Sequence, residues 1–470
     1  MTRRDFNRAA SVMAAAAVVG RTRSASAQRI TGTDGHPNVL VIFCDQLRYD
    51  FLACTGRASV HTPHLDRLFA RGTSFARSYS ASAICTPARG SWLTGMMPAE
   101  HGAISNNRDL HPSRPNFGQV FREAGYDTVH CGKWHLAETY QADIPGFATY
   151  PVGWAGQGDL VDIDVARLTS AFLEQRRDGD APFLAVASFM QPHDICLFTR
   201  EHRDKVVPND ADLEAMPDLD GDLPANLRTR FPEAPKAINR MVRPNVFTEA
   251  QWRWYRHIYD RQIEMLDHDV GVLLETLNRT GLAEDTLVVF TSDHGEGAGD
   301  HGTTGKWHPW ESSVHVPMLF ALPGQVPQGR VDDKTLVSGI DLLPTLCDYA
   351  GIDAPEGLTH SRSVRPRIED DDAPWRDALI IDYYQIGRIV LQDRHKLVVF
   401  PEAPNPLLFD LVADPEETRN IADGNAQTVD DLNAALTQWE QALDPVPRMP
   451  IRHYPNRVVP DRWNPHRGWG

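Results

Sequence analysis

The chain lacks closely spaced cysteines, long apolar runs and internal repeats. No C-x-x-C pair occurs among its six cysteines, which excludes a zinc knuckle and a dense disulfide framework. We expect most of them to be small core residues, and a disulfide in an oxidising compartment stays open. The longest apolar stretch, residues 9–20, is too short to span a bilayer. The cysteines stand at positions 44, 54, 85, 131, 196 and 347.

Positive charge is also scarce. The chain has 47 Lys and Arg against 63 Asp and Glu, a formal charge of −16, which disfavours nucleic acid and anionic membranes as partners. A site for an anionic substrate would therefore have to gather positive charge locally. The chain is long and apolar enough to form hydrophobic cores. Its 470 residues, with 41% hydrophobic side chains, allow one large α/β domain and a smaller one.

The N-terminus is typical of an export signal. Residues 2–6 (Thr-Arg-Arg-Asp-Phe) match a twin-arginine motif, the apolar stretch follows, and residues 25–27 (Ala-Ser-Ala) offer a cleavage site. We therefore predict a twin-arginine signal peptide over residues 1–27. The protein would be periplasmic or secreted, exported after folding. A frayed basic N-terminus is the alternative.

Five apolar runs, four of which end in polar residues, indicate strands buried on both faces. Helical patterns alternate with them. This alternation predicts an α/β fold with a doubly wound, mostly parallel sheet, in which ligands bind at the carboxyl ends of the strands. The predicted strands are 38–44, 128–131, 182–188, 286–291 and 317–321, and the predicted helices are 62–72, 116–124, 251–277 and 341–351.

The composition and periodicity of the sequence change at two places. Residues 195–250 are rich in Pro, Asp, Arg and Asn with weak periodicity, and we interpret them as a variable insertion. Near the C-terminus, short alternating runs and one helical pattern predict a small α+β domain with an antiparallel sheet. We place the α/β domain at 33–370 and the C-terminal domain with its tail at 371–470. The runs are 377–384, 387–393 and 395–400, and the helix lies near 430–443.

The most informative segment is residues 83–95, which contains Cys-x-Pro-x-Arg as Cys85, Pro87 and Arg89. Proline is unsuited to a core strand because it removes a backbone donor. A Pro-containing turn that opens a helix is the structural alternative. Together with the Trp-Leu-Thr-Gly that ends it, the segment resembles the signature of the type I sulfatase family. In that family this cysteine is oxidised to formylglycine, an aldehyde whose hydrate is the nucleophile.

The resemblance implies an alkaline-phosphatase-like fold, and formylglycine at position 85 made by a formylglycine-generating enzyme before export. One hydroxyl of the hydrate would attack sulfur in line as the alcohol departs. Deprotonation of the other would expel sulfate and restore the aldehyde, which splits one hard step into two. If an unmodified Cys85 thiolate attacked sulfur, it would form a thiosulfate ester that does not readily break down. Arg89 would hydrogen-bond the hydrate or the metal-bound carboxylates, with a surface arginine as the alternative.

Two polar pairs follow predicted strands, Asp45 with Gln46 and Asp293 with His294. Adjacent strand ends would bring the pairs together, and their oxygens suit a hard divalent cation. Alone, each pair would be interpreted as a capping Asp at the start of a loop. Sulfatases hold their metal at these two places, and the resemblance adds Cys85 to the set. We expect one divalent cation, Ca²⁺ first, with Mn²⁺ or Mg²⁺ left open because of the histidine.

Four further side chains are assigned by the resemblance. Residues 125–135 resemble the second sulfatase signature, in which Lys133 would contact a sulfate oxygen and His135 would be the base that collapses the hemiacetal. His193, after Gln-Pro, would protonate the leaving oxygen. Lys306 would bind sulfate and share that acid role. Surface lysines and a loop histidine are the alternatives.

Other histidines cluster in the same segments. We interpret them as structural, with substrate contact as an alternative for His308. Residues 310–317 and 408–420 also resemble the family, so the resemblance runs from about residue 36 to 423. The remaining members of this histidine group are His130, His301 and His315.

The sequence therefore predicts an exported, metal-dependent sulfuric ester hydrolase acting on a sulfated carbohydrate or an aryl sulfate, with neither nucleic acid nor membrane as a partner. Gln46 and His294 depart from the family's commonest Asp-Asp and Asp-Asn pairs, and a similar set occurs in phosphonate monoester hydrolases. A phosphonate or phosphate ester hydrolase on the same machinery is thus the alternative among enzymes. A non-catalytic binder of sulfated glycans, with unmodified Cys85, is the alternative among binding proteins.

Overall fold

The computed structural model describes residues 36–136, 144–150, 152, 158–198, 207–216, 219, 222–383 and 386–451. The predicted signal peptide, residues 1–27, lies outside this part of the chain. Within the described ranges, no helix combines the length and the apolar character that crossing a bilayer requires.

The larger sheet is mixed and mostly parallel, as predicted. The strands before residue 340 are, in chain order, β1 (Asn38–Asp45), β2 (Thr73–Phe75), β3 (Ser78–Tyr79), β4 (Asp127–Gly132), β5 (Ala148–Tyr150), β6 (Phe183–Pro192), β7 (Thr286–Ser292), β8 (Met318–Ala321), β9 (Arg330–Asp332) and β10 (Val337–Ser338). Eight of them form one sheet in the order β5-β4-β6-β1-β7-β8-β2-β9, and β3 pairs with β10. β8 is antiparallel to β7 and β2, and the other pairings are parallel.

β1 shows why the sequences of the central strands are continuous apolar runs. All eight of its residues are buried. Leu40 and Ile42 face one hydrophobic cluster, and Val41 and Phe43 face another on the opposite side of the sheet. Because alternate side chains point to opposite faces of a strand and both faces are covered, all positions between the polar ends Asn38 and Asp45 are apolar. Each such side chain stabilises the fold by about 1.5–3 kcal/mol when fully buried.

Helices cover both faces of the sheet. α1, α5 and α8 contribute to one of the two clusters, and α2, α4 and α10 contribute to the other. The doubly wound α/β class is therefore confirmed. The described helices are α1 (Pro63–Phe69), α2 (Cys85–Thr94), α3 (Pro98–His101), α4 (Phe117–Glu123), α5 (Gly158–Glu174), α6 (Asp210–Glu214), α7 (Lys236–Asn239), α8 (Glu249–Thr280), α9 (Glu311–Val314), α10 (Leu342–Ala350), α11 (Arg365–Glu369) and α12 (Ala426–Gln441).

The four predicted helices in the larger domain are present, and local chemistry sets their ends. At the start of α8, Thr248 accepts a bond from the backbone of Gln251, whose side chain returns to the backbone of Thr248. Such a capping box stabilises a helix by about 1 kcal/mol. α8 is followed by Gly281, which has φ 77°, a conformation that glycine adopts without strain.

The predicted antiparallel C-terminal sheet is also present. Its order is β11 (Ala378–Tyr383), β12 (Gly387–Gln392), β13 (His395–Phe400) and β14 (Ala403–Asp410). α12 packs on one face through Leu432 and Leu436. The other face packs against Trp310 of the larger domain. We did not predict β14 because it contains Pro404 and Pro406, which are tolerated here since β14 is an edge strand.

The segment 195–250 consists, where described, of short helical pieces packed onto the larger domain. Besides α6 and α7 it has 3-10 turns at Ala225–Arg228 and Pro244–Val246. Leu213, Leu227 and Phe247 belong to the same hydrophobic cluster as α8. Pieces of three to five residues are too short to show a helical repeat, which explains the weak periodicity of the sequence.

The pairing of β1 with β7 determines where the functional residues meet. The two strands are parallel neighbours, with Cys44 opposite Ser292 near their carboxyl ends. The residues that leave the two strands therefore emerge side by side at one edge of the sheet, where α/β folds bind their ligands.

Candidate active site

Four potential metal ligands meet at this edge. Asp45 ends β1, Asp293 and His294 follow β7, and Cys85 is the first residue of α2. One ligand atom from each of the four lies within 4.8 Å of the others, and all four residues are buried. Three of the four residues of the predicted polar pairs therefore converge with the predicted nucleophile on one point.

α2 delivers Cys85 with its first turn. All ten residues of the helix are buried. Pro87 lies in that first turn, where a missing backbone donor breaks no helical hydrogen bond. Gly90 is required one turn further on, because a Cβ there would lie 2.4 Å from the ring of His101. The segment does open a helix, as the structural alternative held, and that helix presents Cys85 to the carboxylates.

Arg89, one turn beyond the cysteine, ties the carboxylates together. Its side chain is fully buried and donates to Asp45 Oδ2 at 2.9 Å and to Asp293 Oδ2 at 3.1 Å. The remaining guanidinium nitrogen donates to the Lys133 carbonyl and to Ser188 Oγ, each at 3.0 Å. A surface arginine is therefore excluded for Arg89. These charge-assisted bonds fix the separation of the two strand ends.

Two buried lysines and a histidine surround the carboxylates. Lys133 Nζ lies 2.5 Å from Asp45 Oδ2, and Lys306 Nζ donates to Gln46 Oε1 at 2.5 Å. The two lysines are only 1% and 5% exposed, so the alternative of solvated surface lysines is wrong. His193 Nε2 stands 4.0 Å from Asp45 Oδ1.

Nearby cations lower the pKa of Cys85 and of Asp45, although burial alone would raise both. Burial and the Asp45 carboxylate oppose ionisation of the Cys85 thiol, yet the nearby cations, Lys306 first among them, lower its pKa well below the ordinary value. Burial likewise opposes ionisation of Asp45, and Lys133 is the main reason that its pKa is lowered. The site therefore favours negative charge on Asp45 and at position 85, whereas burial and the charge of Asp45 raise the pKa of Asp293 to about 6.

Two histidines near the thiol are neutral in the free site. Burial, followed by the charges of Lys133 and Lys306, lowers the pKa of His193 to about 3. Burial and Lys133 also lower the pKa of His135, although hydrogen bonding with Cys85 counteracts them. Burial opposes protonation of Lys306, but neighbouring negative charges, led by Cys85, raise its pKa.

The donor set fits a divalent cation. Asp45 Oδ1 is buried and has no hydrogen-bond partner among the described residues, although buried carboxylate oxygens normally have one. Asp293 Oδ1 accepts the backbone N–H groups of Gln46 at 3.0 Å and His294 at 2.9 Å. Two carboxylates and an imidazole around one point are ligands that Ca²⁺, Mg²⁺ or Mn²⁺ would take.

Gln46 has a fixed orientation. Its Nε2 donates to Glu296 Oε2 and to Cys196 Sγ, the latter at 3.3 Å, while its Oε1 accepts from Lys306. A carboxylate can only accept and an ammonium can only donate, so the amide cannot be turned around. The oxygen of Gln46 therefore points to the cationic side of the site.

Glu296 is a functional residue that we did not predict. It is fully buried and accepts from the Tyr255 hydroxyl at 2.8 Å and from the Gly305 backbone at 2.6 Å. Glu296 thus orients Gln46 and also holds the loop beside Lys306. The only sequence signal that could have identified Glu296 is its position two residues after His294.

We expect Glu296→Gln to weaken metal binding about 10- to 100-fold, the usual effect of losing a partner that orients a ligand. The new amide would present donors to the Gln46 amide and could not hold it. Metal titration, followed by the midpoint of thermal unfolding, measures the affinity. Glu100→Gln is the matched control, because Glu100 is a buried carboxylate that accepts from the backbone of Met97. Equal metal affinity in Glu296→Gln and the wild type would contradict this role.

The other histidines make structural contacts. His130 packs edge-on against Trp134 with ring centres 5.4 Å apart, and His301 stacks on Trp310 at 4.1 Å. His308 is fully buried, with Nε2 3.2 Å from a backbone carbonyl. Burial lowers the pKa of His130 and His308 to about 3 and that of His301 to about 4.

Comparison with known proteins decides the family. The Sulfatase family profile matches residues 37–352, two thirds of the chain. The chain belongs to the sulfatase family. The prediction of an enzyme that hydrolyses sulfuric esters is thereby confirmed, and the family in general uses a metal ion and formylglycine. A second profile, N-sulphoglucosamine sulphohydrolase, C-terminal, matches residues 299–442 of this sulfatase.

Relatives and solved structures agree with this assignment. A Delta 4,5-hexuronate-2-O-sulfatase of Bacteroides thetaiotaomicron is 28% identical over 410 residues, covering 82% of this sulfatase and 84% of the relative. The structure of a 2-O GAG sulfatase matches with a TM-score of 0.76 at 25% identity, over 88% of this chain and 95% of that one. The phosphonate monoester hydrolase of Agrobacterium radiobacter matches with a TM-score of 0.71 at 26% identity, over 88% and 100%. The alkaline-phosphatase-like fold is confirmed.

The sulfatase brings the predicted site residues to one edge of its sheet. The individual roles that the family resemblance implies for them remain predictions. The proposed metal ligands are Asp45, Gln46, Cys85, Asp293 and His294, and the proposed catalytic residues are Cys85, Arg89, Lys133, His135, His193 and Lys306.

Proposed function

We propose that this sulfatase is exported and cleaves sulfate esters with formylglycine at position 85 and one bound divalent cation. The setting of Cys85 carries the proposal. It starts a buried helix, its Sγ lies within 4.8 Å of two carboxylates and an imidazole, and Lys133 and Lys306 shift its ionisation. Packing alone gives no reason to bury so many charged groups around one small side chain, because burial of charge is costly. A catalytic site for an anionic substrate would explain this arrangement.

The two buried lysines would bind the sulfate group. The chain as a whole is acidic, so attraction of an anion must come from these few side chains. An ammonium attracts an anion more strongly in a buried site than at the surface, because the effective dielectric constant is lower. We assign Lys133 and Lys306 to the sulfate oxygens.

The four strand-end residues would hold the cation together with residue 85, and we propose Ca²⁺, with Mn²⁺ or Mg²⁺ as alternatives. When bound, the cation polarises the sulfate oxygens and offsets the charge that develops on them. Arg89 keeps the two carboxylates at their positions. The strand-end ligands are Asp45, Gln46, Asp293 and His294.

Proton transfer would be divided between two sides of the nucleophile. The side chain of His193 is 18% exposed, more than either lysine, and it stands on the open side of the site. We assign proton donation to the leaving ester oxygen, as residue 85 attacks sulfur, to Lys306 and to His193, whose protonated form the negative charge of a bound sulfate ester would favour. His135, hydrogen-bonded to position 85, would then accept the proton of the second hydroxyl, so that sulfate leaves and the aldehyde returns.

The N-terminal sequence supports the export step of this proposal. The twin-arginine motif at residues 2–6 and the Ala-Ser-Ala at 25–27 support export of a folded protein. A formylglycine-generating enzyme would then have to act on the chain before folding buries Cys85, since this residue is 1% exposed in the fold.

The substrate would be a sulfated carbohydrate or, as a small molecule, an aryl sulfate. The names of two similar proteins, a hexuronate-2-O-sulfatase and a 2-O GAG sulfatase, favour the carbohydrate. Hydrolysis of phosphonate esters is the second candidate. Gln46 and His294 resemble the set of the phosphonate monoester hydrolases, one of which shares the fold over 88% of this chain.

Paired substrates test the choice between sulfur and phosphorus. We expect kcat/KM for 4-nitrophenyl sulfate to exceed that for mono(4-nitrophenyl) phenylphosphonate by at least about 100-fold. The two esters share a leaving group, so the ratio reports recognition of the transferred group. Protein carrying Cys85→Ala and purified in parallel corrects for contaminating hydrolases. Phosphonate cleavage that is faster by orders of magnitude would overturn the sulfate assignment.

A further inference from the structure

A buried charged cluster joins the C-terminal sheet to the larger domain. Lys396 of β13 is fully buried, and its Nζ lies 2.9 Å from Glu311 Oε1 and 2.7 Å from Glu417 Oε1. Glu417 also accepts the backbone N–H of Glu311 at 2.7 Å. Buried charges must stay paired, so the three groups keep one arrangement. None of the three belongs to the proposed metal-binding or sulfate-binding set.

The cluster reaches the segment that leads into Cys85. The Tyr79 hydroxyl donates to Glu311 Oε2 at 3.1 Å. The next residue, Ser80, donates its backbone N–H to the Val314 carbonyl at 2.8 Å. Residues 78–80 therefore lie beside α9, with Glu311 as their polar anchor.

The same cluster anchors the loop that carries Lys306. Glu311 ends this loop and begins α9. Nearer to the lysine, Tyr383 of β11 donates its hydroxyl to the Trp307 carbonyl. Between these points Trp310 is buried against the C-terminal sheet. The C-terminal sheet thus holds residues 307–311, which directly follow Lys306.

We propose that Lys396 is a positioning residue for the reaction. Through Glu311 and Glu417 it holds residues 78–80, upstream of the nucleophile, and residues 307–311, which follow Lys306, in fixed positions relative to each other. The inference rests on the proposed function, since it takes both segments to act on one substrate. A displacement of about 1 Å in a reacting group can lower a rate about 100-fold, so this remote contact controls turnover.

Hydrogen exchange tests the positioning without any substrate. Lys396→Met removes the ammonium but keeps the length of the side chain, and we expect amide exchange in residues 78–84 and 303–316 to quicken at least about tenfold. Arg57→Met is the matched control, since it breaks another ion pair, with the buried carboxylate of Asp260. It should leave both segments unchanged. Exchange in Lys396→Met equal to that of the wild type would overturn the proposal.

Kinetics test whether the effect passes through the active-site loop. Lys396→Met should lower kcat for 4-nitrophenyl sulfate about 10- to 100-fold. In a Lys306→Ala background this loss should shrink at least about fivefold, because contacts that act through one another are not additive. Full additivity would overturn the proposal. Quickened exchange in a protein that cleaves neither test ester would support the positioning and contradict only the proposed function.

Tyr79→Phe provides a milder variant if Lys396→Met does not fold. It removes one hydroxyl, and we expect kcat to fall about three- to tenfold with little change in KM, as for loss of one hydrogen bond to a charged group. Tyr349→Phe is its control, because the Tyr349 hydroxyl is buried without a hydrogen-bond partner among the described residues. Equal kcat values for Tyr79→Phe and the wild type would overturn the proposal.

Discussion

Cys85→Ala is expected to abolish the turnover of sulfate esters and to leave the fold intact. Loss of a catalytic nucleophile lowers kcat by roughly 10⁴- to 10⁶-fold, and alanine has no sulfur that oxidation could replace with an aldehyde oxygen. The fold should survive, since Cys85 is small and the other nine residues of α2 keep their buried packing. Initial rates with 4-nitrophenyl sulfate and thermal unfolding measure the two effects.

Cys347→Ala separates chemistry from packing. Cys347 is 1% exposed in α10, so its replacement removes a similarly buried sulfur outside the candidate active site. We expect this variant to keep its activity with a modest loss of stability. A Cys85→Ala protein that still turns over sulfate esters would refute the assignment of the nucleophile.

The Asp293→Ala variant is expected to lose both metal binding and activity. Asp293 Oδ1 faces the backbone donors of Gln46 and His294, and Oδ2 pairs with Arg89. Removal of the carboxylate deletes a ligand and leaves Arg89 partly unpaired. Metal affinity should fall more than about 100-fold, because even the loss of a partner that only orients a ligand costs 10–100-fold. Metal content after dialysis, measured by mass spectrometry, gives the answer.

Asp260→Ala is the control for this variant. Asp260 is 2% exposed and pairs with Arg57 at 2.9 Å, so its loss also breaks a buried ion pair. Its metal content and activity should match the wild type. Unchanged metal content in Asp293→Ala would remove this residue from the ligand set.

The sheet could be predicted because its signals are local. The apolar runs of β1 and β7 are buried on both faces, and each run ends where a polar pair begins. Parallel strands share a carboxyl edge, so Asp45 and Asp293 were expected to converge. Periodicity does not identify which strands are neighbours, and the adjacency of β1 and β7 therefore comes from the structure.

Other features depend on contacts that leave no local pattern. Glu296 acts because it meets Gln46, and Lys396 acts because it meets Glu311, each pair being far apart in the chain. α5 was also missed. Its buried Asp162 accepts the backbone N–H groups of β6 just before His193, so an acidic residue lies on the inner face and weakens the amphipathic pattern.

The account depends on the conversion of the thiol at position 85 to an aldehyde. Trypsin releases residues 78–89, because Arg77 precedes this stretch and Arg89 ends it. In protein from a host that has a formylglycine-generating enzyme, mass spectrometry should find this peptide about 18 Da lighter than its sequence mass, since oxygen replaces the sulfur and two hydrogens are lost. An intact thiol in all of the peptide would contradict the hydrolase mechanism and leave a binder of sulfated ligands in its place.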